Sequence, residues 1–147
     1  MIAFDTNVLF PSLEETHPDH AAARRFLGDL QTGSQSVALC ELTLVETYVL
    51  LRNPAICRNP LDHQRALEII NHLRTNSSWR LVDYPGGLMD RIWKNPFSDE
   101  NPPRRRIFDT RLAVTLLHNG VTHFATANTK DFVSFPFDKL WNPFLEQ

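Results

Sequence analysis

Apolar residues along the chain gather into short blocks separated by polar, Gly- and Pro-containing breaks. The first block, over 2–4, stops at Asp5 and predicts a short buried strand. Pro18 stands where a first helical turn would open, and 19–30 has helical composition until Gly33 and Ser34 interrupt it. A second apolar block, over 37–40, predicts another buried strand. Thr43 and Glu46 have the spacing of a capping box ahead of an apolar run to Leu51, which predicts a helix starting at Thr43 and ending before Asn53-Pro54. Asp62 is a suitable N-cap for the next helix. Leu67, Ile70 and Leu73 share one face of it, with Ile69 beside them, and Asn76, Ser77 and Ser78 close it.

The pattern over 79–83 alternates toward a strand, which Tyr84-Pro85-Gly86-Gly87 ends, and 88–93 reads as a short helix. Residues 95–103 are rich in Pro, Asn, Ser and acids and read as a surface loop. An apolar-rich helix over 107–118 is stopped by Asn119-Gly120. A strand over 123–126 follows, and the aromatic tail over 135–144 adds a last short strand. Strands alternating with helices predict a three-layer α/β/α domain with a mostly parallel central sheet. No repeat or linker divides the chain, so 1–147 reads as a single domain.

Composition narrows the classes. Apolar residues make up 42% and charged residues 22%, which is ordinary globular usage and argues against disorder. No apolar run reaches the roughly 18 residues of a membrane span, and the opening Met1-Ile2-Ala3-Phe4-Asp5 has no basic start, so no membrane role or signal peptide is expected. Two cysteines, Cys40 and Cys57, are too few for a disulfide framework and suit reduced thiols in a cytoplasmic protein. The net charge of −2 excludes a globally basic nucleic-acid binder. Any such contact must come from a local patch, and Arg104-Arg105-Arg106 is the densest one.

The placement of the acids carries the most information. Asp5 follows the first strand and Asp131 follows the strand ending at Thr126, so both fall at the carboxyl edge of a parallel sheet, where ligands bind in such folds. Asp109 and Glu46 fall in the first turns of two helices. Each has a plainer use: Asp5 as a turn former, Glu46 closing the capping box with Thr43, Asp109 favouring the helix dipole, Asp131 capping a turn. Converging, they would repel one another, and a divalent cation resolves that conflict. Mg²⁺ and Mn²⁺ favour carboxylate and water oxygens, acidify a water and polarise a phosphoryl oxygen, which suits phosphodiester hydrolysis. Thr6 and Asn7 beside Asp5, and Thr126 and Asn128 beside Asp131, are placed to orient the acids or hold a water. The three arginines lie just before Asp109 and could grip phosphates with bidentate donors.

These residues resemble the PIN-domain family. Ile2-Ala3-Phe4-Asp5-Thr6-Asn7-Val8-Leu9 looks like its opening strand and first acid, and Thr43-Leu44-Val45-Glu46 like its second. Phe108-Asp109-Thr110-Arg111-Leu112-Ala113 looks like the third acid and its helix, and Thr126-Ala127-Asn128-Thr129-Lys130-Asp131-Phe132 like the closing segment with its fourth acid. Compact chains of this kind resemble VapC toxins of VapBC toxin–antitoxin pairs. The resemblance implies an endoribonuclease dependent on Mg²⁺ or Mn²⁺ that cleaves structured RNA such as tRNA or ribosomal RNA by metal-activated water. It also implies a VapB-type antitoxin as partner and a homodimer. Asp5 and Asp109 would be direct ligands, Glu46 a ligand or the group orienting the attacking water, and Asp131 would act through water or on a second ion. The alternatives are a non-catalytic PIN-like binding module and a HAD-like phosphatase, the latter lacking its second Asp because position 7 is Asn.

Overall fold

The computed structural model describes residues 1–75, 78–94 and 101–145. β1 (Ile2–Phe4) runs into α1 (Thr6–Leu13) and α2 (His20–Thr32). β2 (Val37–Cys40) is followed by α3 (Glu41–Leu51) and α4 (His63–Arg74). β3 (Trp79–Val82), α5 (Leu88–Trp93) and α6 (Arg106–His118) come next. β4 (His123–Ala125), a single 3₁₀ turn (Thr129–Asp131) and β5 (Lys139–Trp141) close the chain. The strands form one sheet in the order β3-β2-β1-β4-β5, and every pairing is parallel. β2 and β3 lie to one side of β1, and the chain then crosses back to place β4 and β5 on the other. The strand order therefore reverses between β1 and β4. In open parallel sheets a crevice forms beyond the carboxyl ends of the strands at such a reversal.

Strand alternation divides the core into two layers. Ala3, Ala38, Cys40, Val82 and Phe124 point to the face covered by Leu112, Ala113 and Leu116 of α6. Phe4, Val37, Leu39, Trp79 and Ala125 point to the opposite face, covered by Val8 and Leu9 of α1, Leu27 and Leu30 of α2 and Leu44 of α3. The result is the three-layer architecture expected from the alternation of elements. Gly120 follows α6 with φ +83°, the left-handed conformation that ends a helix, as Asn119-Gly120 predicts. Cys40 and Cys57 are both buried and unpaired. Among the described residues no helix is long and apolar enough to cross a membrane.

Four local readings change. α1 has no counterpart in the sequence pattern, because Pro11 lies inside it and has no N–H for the carbonyl four residues back. α2 opens at His20, with Pro18 outside it; the His17 Nδ1 accepts from the Asp19 N–H at 3.1 Å and holds the preceding turn. The capping box at Thr43 and Glu46 does not form. β2 passes directly into α3, Cys40 is the N-cap, and Thr43 is a fully buried residue of the first turn whose Oγ1 meets no partner among the described residues. On α4, Asp62 caps as expected, accepting from the Arg65 N–H at 2.9 Å. The inward face, however, is Ala66, Ile69, Ile70 and Leu73, with Leu67 exposed. Residues 76–77, part of the proposed end of that helix, and 95–100 of the proposed loop lie outside the described residues.

Candidate active site

Asp5 is fixed by the strand-to-helix junction at the sheet reversal. Its N–H donates to the Ala125 carbonyl at 3.0 Å, continuing the β1–β4 ladder by one residue. Its side chain caps α1: the Thr6 N–H donates to Oδ1 at 2.7 Å. The other oxygen, Oδ2, accepts from Asn7 Nδ2 at 2.9 Å and from Thr126 Oγ1 at 2.7 Å. Asn7 Oδ1 in turn accepts from the Ala127 N–H at 2.9 Å, and Thr126 Oγ1 from the Asn128 N–H at 3.1 Å. Side chains of Asn7 and Thr126 thus tie the start of α1 to the segment leaving β4. Asp5 is 8% exposed. Burial lifts its pKa from the ordinary 3.8 to about 6; the hydrogen bonds from Thr126 and Thr6 oppose this, and the charges of Glu46 and Asp109 add to it.

The other three acids are half-buried. Glu46, on α3, accepts from Thr6 Oγ1 at 2.6 Å, so the residue that caps itself onto Asp5 also holds the second acid. Asp109 stands in the first turn of α6. Burial raises its pKa, Asp131 and Glu46 push it the same way, and Arg106 and Arg105 pull it down. Asp131 ends the 3₁₀ turn, and its Oδ2 accepts from Asn128 Nδ2. Glu46, Asp109 and Asp131 share a cleft of about 360 Å³ with Arg105 and Phe108. Asp5 is not in the wall of that cleft; it is buried within electrostatic reach of Glu46 and Asp109. The four acids proposed from the sequence therefore converge, as one buried group and three at the surface of a cleft.

The three arginines separate by role. Arg104 and Arg105 are exposed, and Arg105 alone of the three lines the cleft. Arg106 turns back into the protein: it donates to the Asp131 carbonyl and, at 2.7 Å, to Ser134 Oγ, and its guanidinium lies 5.4 Å from the centre of the Phe135 ring. It fastens the start of α6 to the turn carrying Asp131, a job that spacing alone does not reveal. Phe108, 55% exposed, is the cleft residue that sequence reasoning passed over. Its only sequence signal is an aromatic side chain immediately before an acid in a helical first turn.

As placed, no three His, Cys, Asp or Glu side chains among the described residues stand close enough to hold a metal ion. The donor set itself fits a hard divalent cation. It offers carboxylate oxygens that raise one another's proton affinity, a conflict that bound positive charge relieves.

Comparison with known proteins agrees with this fold. Residues 2–137 match the PIN domain. Ribonuclease VapC24 of Mycobacterium tuberculosis, in two strains, is 40% identical to the chain over 143 residues, covering 97% of each sequence. The crystal structure of VapC20 from the same organism, described as a sarcin–ricin loop cleaving toxin, superposes with a TM-score of 0.64 at 18% identity, over 84% of this chain and 87% of that one. A sequence of this order, folded with its acids at the reversal of a parallel sheet, belongs to the PIN-domain family, within its VapC branch.

Proposed function

We propose that the chain is a metal-dependent endoribonuclease, the toxin of a toxin–antitoxin pair. The observation that carries this is the convergence of four carboxylates, from four separate segments, at the carboxyl edge of the sheet where β1 and β4 part. The ribonuclease activity named for the VapC24 relative supports the reaction class. The sarcin–ricin loop cut by VapC20 makes structured ribosomal RNA the first substrate to test, with tRNA beside it. A VapB-type antitoxin and a second copy of the chain are the partners proposed on the same basis.

Asp5 and Asp109 would hold the ion, Mg²⁺ or Mn²⁺, with Glu46 and Asp131 completing the set. When bound, the ion supplies a more acidic water and neutralises charge on the phosphoryl oxygens. The chain's own residues do the rest. Thr6 Oγ1 fixes the Glu46 carboxylate, leaving its other oxygen to orient the attacking water. Asn128 and Arg106 hold Asp131. Thr126 and Asn7 keep Asp5 aligned. Arg105, and Arg104 beside it, would take the phosphates of the RNA. The phosphatase alternative falls with family membership. Its chemistry is also missing: position 7 supplies an amide that donates to Asp5, where that reaction needs a carboxylic acid.

The test is cleavage of a pool of small RNAs and ribosomal RNA by purified protein in Mg²⁺, in Mn²⁺ and in EDTA, with Asp5→Ala alongside. Discrete cuts that need both metal and Asp5 are expected. A folded, antitoxin-free protein that cuts nothing in either metal would overturn the nuclease reading and leave the non-catalytic binding module.

A further inference from the structure

Phe4, Phe124 and Phe132 are almost fully buried, whereas Phe108 keeps 55% of its surface in solvent. Burying a ring of this size stabilises a fold, so its exposure forgoes stability. Isolated exposed apolar residues are common on any surface. The position of this one is what distinguishes it. Phe108 lines the same cleft as Glu46, Asp109 and Asp131, and it is the one aromatic lining that cleft among the described residues. Arg105 precedes it by three positions and Asp109 by four, so the guanidinium, the ring and the acid lie along one face at the start of α6. A cationic donor and an open ring beside a carboxylate cluster match the two parts of a nucleotide, a phosphate and a flat base. Bases stack on aromatic side chains without regard to identity, but only when they are unpaired, because a base within a duplex has both faces covered.

We propose that Phe108 is the stacking platform for the base next to the cleaved phosphate, with Arg105 holding the adjoining phosphate. This inference rests on the nuclease reading above and adds to it the residue that takes the base. A protein partner could use the same exposed ring, but the acids around it disfavour a purely apolar contact and leave room for a ligand that carries its own hydrogen-bonding edge.

The test measures binding apart from cleavage. Asp5→Asn protein, whose change is buried away from the cleft wall, is titrated into a labelled oligoadenylate of about ten nucleotides and into an abasic ribose-phosphate oligomer of the same length. Adding Phe108→Ala should weaken oligoadenylate binding about 5- to 100-fold, the range typical of one stacked base, and leave the abasic oligomer unchanged. Phe108→Trp should restore it. Equal loss on both oligomers would mean that the ring acts through the shape of α6, and would overturn the inference. Unchanged binding of oligoadenylate by Phe108→Ala would also overturn it and assign the ring to a protein partner. Failure of oligoadenylate to bind with Phe108 intact would remove RNA recognition at this cleft, and the inference with it. Cleavage of the RNA pool by the unaltered chain reports on the nuclease reading independently of all these arms.

Discussion

Asp5 and Asp109 carry the same carboxyl group within electrostatic reach of each other and are held in opposite ways. Asp5 sits at a junction of strand and helix, where main-chain geometry leaves it little freedom, and it accepts three hydrogen bonds through two oxygens. Asp109 sits on the first turn of a helix, is half-buried, and is surrounded by charge of both signs: Asp131 and Glu46 against Arg106 and Arg105. One region is a floor built by the backbone, and the other is a rim built by side chains. The floor is organised before any ligand arrives, because its donors also tie β1 to β4. The rim is more open to solvent, and it is where an ion and a nucleotide would be met. Damage to the floor should therefore destroy activity at any substrate concentration, and damage to the rim should depend on the substrate offered.

The largest effect is expected for the acids themselves. Asp5→Ala and Asp109→Ala should each lower cleavage by more than about 100-fold, beyond the 10- to 100-fold typical of groups that only support a metal ligand. Circular dichroism should show both folded. Full activity in Asp109→Ala would remove the rim from the site. Next comes Asp5 in the absence of metal. Its pKa is raised, so the fold favours the protonated form. The stability that Asp5 lends is complete below its ordinary 3.8 and is lost as pH rises through about 6. In EDTA, the unfolding free energy of the unaltered chain should fall relative to Asp5→Asn between pH 4 and pH 7.5, by at most about 3 kcal/mol. Adding Mg²⁺ should shrink the difference. Parallel curves would show that burial does not strain this carboxyl.

Thr126→Val keeps the shape of a buried residue and removes the hydroxyl that donates to Asp5 and accepts from the Asn128 N–H. A loss of about 10- to 100-fold in cleavage is expected, with a higher metal requirement. Thr6→Val tests the other branch, since its hydroxyl reaches Glu46 and not Asp5. Its effect should fall mainly on kcat. Similar profiles for the two variants would mean that the floor does not separate ligand alignment from water orientation.

The floor was legible in the sequence because it follows from strand ends. Apolar blocks locate β1 and β4, parallel order follows from alternation with helices, and Asp5 immediately after β1, with Thr126 immediately after β4, then falls at one edge. The rim was less legible because it depends on which way side chains turn. Glu46 is on a helix as the pattern predicts, but in its second turn rather than its first, and its partner is Thr6, forty residues away in sequence, not the nearby Thr43, which the direct passage from β2 into α3 buries in the first turn. Pro11 masked α1, and with it the fact that Asp5 is a helix cap. Phe108 gave no signal because exposure is a property of the fold, not of the residue. The arginine run read as one patch, although a helix start sends successive side chains in different directions.

That separation gives the finest test of floor and rim, because Arg105 and Arg106 are neighbours with identical chemistry. Arg105 is exposed on the cleft and has its guanidinium available to a phosphate. Arg106 spends its donors on the Asp131 carbonyl and Ser134, and packs over Phe135. Arg105→Ala should raise KM about tenfold with kcat little changed, and should reduce by about one the slope of log binding constant against log salt. Arg106→Ala should lower kcat by a similar factor, leave the salt slope unaltered and lower the melting temperature, because it unfastens the turn that carries Asp131 from the start of α6. Lysine should rescue much of the first variant and little of the second, since an ammonium carries the charge but cannot span two acceptors in the plane of a guanidinium. If Arg106→Ala instead flattens the salt slope as Arg105→Ala does, the arginine reaches RNA and the rim extends farther around α6 than the cleft indicates.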